Sequence, residues 1–235
     1  LVASRVDALP HAESFLLRAC AVLGQDLDVG LLVHMTQQDS VLLQTRLQAL
    51  IANGFLTLNK SGDFALKHLL TRDAVYATIH LEERKTLHLR AAQGLEAQAQ
   101  QLHSLQMNEQ LARHYQAAEV HHLAAHHAQV AGDNALTLMS LDRARAFYLV
   151  TLQALDHLLQ YYPEVKLRWC QVSERLGQAC VFDPLDVSHG LALFERAAKM
   201  AQEIGNANAL ARAHYWLAYV NYGKGQAKKA EIGRA

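Results

Sequence analysis

Residues 55–79, FLTLNKSGDFALKHLLTRDAVYATI, carry two different periods in succession, and that switch constrains the whole chain. Residues 55–58 and 64–66 are short apolar runs separated by Asn59, Lys60, Ser61 and Gly62, the residue types a turn between two strands demands. From Lys67 the period becomes helical. Leu66, Leu69, Leu70, Ala74 and Ala77 recur on one face, and Tyr76 and Ile79 widen it. This hairpin is the only β element the sequence supports, and two strands alone are marginal, so the ribbon must lean on helices.

Three short helical patterns precede it. Residues 13–23 place Phe15, Leu16, Ala19, Val22 and Leu23 on one side, and Gly24 ends the pattern. Residues 28–35 form a second helix. Asp39 or Ser40 caps a third, whose buried stripe is Leu43, Leu47, Leu50 and Ile51, with Asn53 and Gly54 as its stop. A helix trio followed by a hairpin is the outline of a winged helix.

The third helix of such a unit enters the major groove when the unit reads DNA. Here it carries Arg46 against Asp39, and the turn adds only Lys60. Groove binding draws most of its affinity from several phosphate contacts, so DNA binding is not expected of this surface. The whole chain of 235 residues balances 22 basic against 22 acidic side chains and exerts no global pull on nucleic acid or anionic lipid. No run approaches the roughly 18 to 20 apolar residues of a spanning helix, and with no basic-then-apolar pattern at its start no signal peptide is expected. Cys20, Cys170 and Cys180 are odd in number and lack paired spacing, which fits buried thiols in a reducing cytoplasm. The chain opens at Leu1 without an initiator Met and stops at Ala235 within a helical pattern, so a segment of a larger protein is expected.

Four stretches in order, RVDALP at residues 5–10, LLRACAVLG at 16–24, LQALIANGFL at 47–56 and FALKHLLTRDAVYATI at 64–79, resemble a known bacterial segment. It is the part that follows the nucleotide-binding core in STAND-type signal-transducing ATPases, found in large transcriptional activators and fused to class III adenylyl cyclases. The resemblance covers residues 1–102 and continues more weakly beyond. It implies a winged helix folded over a nucleotide held by an upstream ATPase domain of the same chain. A histidine opening its last helix, in an MHD-like motif, would contact the phosphate of bound ADP. The matching position is His68, followed by Leu70 and Asp73; Lys67 and Leu69 stand where the MHD motif has Met and Asp. Elementary physics agrees with such a placement, because a helix start exposes backbone N–H groups and the positive end of the dipole, and Lys67 adds a charge. A histidine that only hydrogen-bonds within the wing is the competing reading of His68.

Residues 82–102 read as a connecting helix with a seam of His88, Ala92, Leu95, Ala99 and Leu102, and Arg84 and Lys85 as solvated positions. After Met107 the pattern turns to repeats. A tetratricopeptide unit of about 34 residues alternates large, small and aromatic positions so that antiparallel helices approach closely. Leu111, Ala112, Tyr115, Ala124 and Ala131 match one unit. Leu176, Gly177, Cys180, Gly190, Phe194 and Ala197 match a second, with Asp183 and Pro184 absorbing one extra residue. Leu217, Ala218, Gly225 and Ala230 begin a third, with Asn221 in place of its aromatic. Between them, residues 142–160 and their neighbours make an irregular helical hairpin, and Pro163 precedes a helix over 165–180.

His114, His121, His122, His126 and His127 form the remaining constellation. His122 and His126 have the spacing of a paired metal ligand, but no Glu lies between them and no third ligand is evident, so no metal site is expected. Sensitivity to pH is their plain consequence. No phosphate loop, nucleophile elbow or Cys-His pair supports catalysis, and Lys224, in GKGQ, lacks the preceding glycine spacing and the following Ser or Thr of a phosphate loop.

The expected architecture is therefore all-α with one small β-hairpin. A winged helix spans 1–80, a helical connector 81–106, and a tetratricopeptide-like α-solenoid 107–235. By the resemblance, this is a non-catalytic regulatory segment whose His68 and Lys67 sense ADP in the neighbouring ATPase, with no cofactor of its own. A protein or small-molecule ligand on the repeats would release the closed state. A plain scaffold binding a peptide and a DNA-binding regulator are the alternatives.

Overall fold

The computed structural model describes residues 5–6, 8–99, 105–181 and 187–223. Among these it is predominantly helical, with eleven α-helices, one 3-10 turn and a single two-stranded sheet. No helix among the described residues is long and apolar enough to cross a membrane. The chain divides into two compact units, Leu1–His103 with Ala117–Glu119, and Ser104–Gln116 with Val120–Ala235.

In the first unit α1 (His11–Leu23), α2 (Val29–Thr36) and α3 (Ser40–Ala52) precede the strands β1 (Leu56–Leu58) and β2 (Phe64–Leu66). Asp28 caps α2 by accepting from the Leu31 amide at 2.9 Å, and Asp39 caps α3 by accepting from Val41 and Leu42. Leu43, Leu47 and Leu50 are fully buried and meet Leu16, Leu17 and Met35 in one core. The strands pair antiparallel, Leu56 opposite Leu66. Asn59 organises the loop, its Oδ1 accepting from the Ser61 and Asp63 amides at 2.9 Å each, while Gly62 takes φ +87°, where a side chain would be strained.

One strand-like partner escaped the sequence. Residues 25–27 lie along β2, with an Asp26–Ala65 bridge, Leu27 N–H donating to the Phe64 carbonyl and Leu66 N–H to that of Gln25, both at 3.0 Å. Three backbone segments thus brace the ribbon against the helices. A single bridge leaves no period-2 pattern to read, which is why GQDLD carries no strand signal.

Helix α4 (Leu69–Thr78) corrects a second expectation. Leu66 lies in β2, so the helical period starts later than the apolar spacing implied. The buried side chain of α4 is Val75; Leu69 is 58 % and Leu70 82 % exposed. Helix α5 (Leu81–Ala99) buries His88, Ala92 and Leu95 as expected, together with Leu87 and Ala91, and packs on α1 and α2. Leu102 lies outside the described residues.

The second unit comprises α6 (Leu105–Ala117), α7 (His121–Thr137), α8 (Leu141–Leu159), a 3-10 turn (Pro163–Val165), α9 (Lys166–Ala179), α10 (Val187–Glu203) and α11 (Ala207–Gly223). Successive helices from α7 onward pack on one another, and α9 also meets α11. Leu111, Ala112, Tyr115, Ala124 and Ala131 are all buried, as are Leu176, Phe194 and Ala197. Residues 142–159 belong to one unbroken helix, α8, which forms a hairpin with α7; Tyr148 ties the two through a 2.7 Å hydrogen bond to Asp133. In α11 the buried large residue is Trp216, not Leu217, and it stacks on Phe194 at 6.0 Å. Gly225, Ala230, Lys224, Asp183 and Pro184 lie outside the described residues. The three cysteines are buried and form no disulfide.

Candidate functional site

The chain places His68 by a short sequence of constraints. β2 is fixed on both sides, and the Lys67 amide extends that anchoring by donating to the Phe55 carbonyl at 3.0 Å. His68 remains extended, φ −144° and ψ 138°, and stands immediately before α4 as its N-cap residue, one position earlier than the first turn. Its carbonyl accepts from the amides of Thr71 at 3.0 Å and Arg72 at 3.2 Å.

The imidazole makes no capping hydrogen bond. Ser, Thr, Asp or Asn at this position would have accepted from the helix amides, whereas a histidine ring held away from them leaves the donors open. The Leu69 and Leu70 amides have no acceptor among the described residues. Lys67 and His68 are both exposed. The start of α4 therefore presents two outward amides, one fixed cation and one titratable ring beside exposed Leu69 and Leu70. Chemically this can receive an anion from another molecule or module, with apolar contact alongside. Sequence reasoning found the polar pair and missed the apolar rim, because helical spacing assigned both leucines to the core.

The opposite end of α4 is held rigidly. Arg84 of α5 donates from Nη2 to the carbonyls of Tyr76 at 3.2 Å and Ile79 at 3.1 Å, and its guanidinium lies 4.4 Å from the centre of the Tyr76 ring. Tyr76 Oη is 2.9 Å from Nε2 of buried His88. Arg84, read from sequence as a solvated position, closes the C-terminus of α4.

The histidines of the second unit do not converge. His127 pairs through Nδ1 with Asn108 Oδ1 at 2.9 Å and stacks on Tyr115, while His121 stacks on His157, centroids 4.1 Å apart and rings nearly parallel. Parallel stacked rings direct their lone pairs side by side, not toward one ion. No group of three metal-ligating side chains occurs among the described residues. Burial, with a smaller contribution from the Arg113 charge, lowers the pKa of His114 from 6.5 to about 4.

No protein family matches the chain, and no curated protein or solved structure does either.

Proposed function

We propose that this chain is a regulatory and interaction segment of a STAND-type signal-transducing ATPase. Its first unit acts as a winged helix, and its second as a tetratricopeptide-like helical array. An ATP- or ADP-holding domain elsewhere in the same natural chain rests against the start of α4. His68 and Lys67 contact the ADP phosphate, Leu69 and Leu70 pack on that domain, and the closed arrangement restrains a transcriptional or adenylyl cyclase output. A protein or small-molecule ligand on the helical array releases it. The segment works in the cytoplasm and performs no chemistry itself.

The observation that carries this reading is the open, cationic start of α4, with the Leu69 and Leu70 amides lacking acceptors and the His68 ring unused. The α3 surface supports it indirectly. Val41 is 71 % exposed, and Arg46 is tied to Gln38 at 2.5 Å, so the helix that would enter a DNA groove shows apolar residues and no free row of cations. Calorimetric ADP affinity of the longer natural chain, native against His68→Ala, tests the proposal. Loss of a charge-assisted phosphate contact should weaken ADP by roughly 10-fold or more; equal affinities would leave the start of α4 without that role.

A scaffold reading rests on a different feature. A cavity of ≈ 250 Å³ between α9 and α11 is lined by Gln171, Asn206, Asn208, Glu174 and Arg212; the last two are paired with each other, and the side-chain amides suit an extended peptide backbone.

A further inference from the structure

The first unit holds a polar concavity away from the start of α4. Successive positions on one face of α1, His11, Ser14, Phe15 and Arg18, join Leu9 and Glu83 around a cavity of ≈ 310 Å³. This lies within the range of small-molecule sites. Arg18 reaches across to α5, where its Nη1 donates to both Glu83 oxygens at 3.1 and 3.2 Å. The two side chains are only 26 % and 25 % exposed, so their charges are screened less than those of open surface pairs.

Unused hydrogen-bonding capacity gathers here. Nη2 of Arg18 makes no hydrogen bond among the described residues. The side chains of His11 and Ser14 make no hydrogen bond among the described residues either. Leu9 and Phe15 add apolar surface to the same lining.

We propose that this cavity binds a small zwitterion with an apolar tail, a free aliphatic amino acid in chemical class. The pocket carries one cation and one anion, so its formal charge is zero. A simple anion would meet Glu83 and a simple amine would meet Arg18, whereas a zwitterion satisfies both. Its carboxylate lies at Arg18 Nη2 and the Ser14 hydroxyl, its ammonium at the outer lone pairs of Glu83, and its tail against Leu9 and Phe15. His11 supplies a further hydrogen bond at the rim.

The test titrates the 235-residue chain with L-leucine, following backbone amide shifts, beside the two halves of that molecule: 4-methylpentanoate, which lacks the ammonium, and isopentylamine, which lacks the carboxylate. L-leucine should saturate with a dissociation constant of about 1 mM or tighter, its shifts centred on Leu9, Ser14 and Glu83. Each half should bind at least about 10-fold more weakly. Glu83→Gln should abolish the preference for L-leucine over 4-methylpentanoate, and Ser14→Ala should weaken L-leucine severalfold at unchanged melting temperature. No saturation below about 10 mM, shifts centred elsewhere, halves that bind as well as the whole, or a preference that survives Glu83→Gln would each overturn the proposal.

Discussion

At Gly177 a methyl group has no room. A Cβ there would stand 2.5 Å from two atoms of the Trp216 indole, a rigid ring already stacked on Phe194 and wedged between α9 and α11. Alanine in a helix interior gains up to about 1 kcal/mol over glycine from backbone entropy. Forcing Trp216 to move costs about 1–3 kcal/mol, so packing wins. Gly177→Ala should lower the stability of the second unit, read as an earlier chemical-denaturation midpoint reported by Trp fluorescence. His114 makes a prediction of the opposite kind, set by solvent. Burial favours its neutral ring, so the folded chain takes up the proton only near pH 4, against 6.5 for the unfolded reference. Stability from this group is complete above pH 6.5, declines as pH falls, and is gone near 4, below which both states are protonated. His114→Gln should flatten that part of a melting-temperature profile against pH.

Helix α4 shows how much one element depends on its two ends. Its start is open, and its finish is closed by Arg84, which satisfies two terminal carbonyls and covers Tyr76. Arg84→Met keeps the aliphatic stem but removes both hydrogen bonds, and should destabilise the first unit by about 1–3 kcal/mol. Amide exchange should quicken in residues 75–79 before it does in α1. The same helix marks where the sequence could be read and where it could not. The hairpin, the Asp39 cap and the stripe Leu43, Leu47, Leu50 were legible because each rests on local chemistry or an unbroken period. Leu69 and Leu70 were misassigned because apolar spacing runs straight through the strand-to-helix junction at Lys67 and His68, and periodicity cannot see the junction. Arg84 was illegible for a related reason: its partners are backbone carbonyls, which every sequence has. His11, Ser14 and Arg18 do carry a helical spacing, but Glu83, which completes their cavity, lies 65 positions beyond Arg18.

For the whole molecule, two compact units divide the work that the proposed function requires. The first offers an open helix start on a braced ribbon, suited to reading a group held by another module. The second buries its small and aromatic residues between consecutive helices. The burial of Leu111, Tyr115 and Leu176 was readable because close helix packing sets small residues beside large ones. The hairpin expected around residues 142–160 was readable only in outline, since Tyr148 and Asp133 tie α7 to α8 outside that pattern. The central claim is that His68 holds a nucleotide phosphate belonging to a neighbouring domain. Release of a fluorescent ADP analogue from the longer natural chain, followed by stopped flow, tests it most directly. His68→Ala should release the nucleotide roughly 10-fold to 100-fold faster than the native chain; identical release rates, or a longer chain that binds no nucleotide, would contradict the claim.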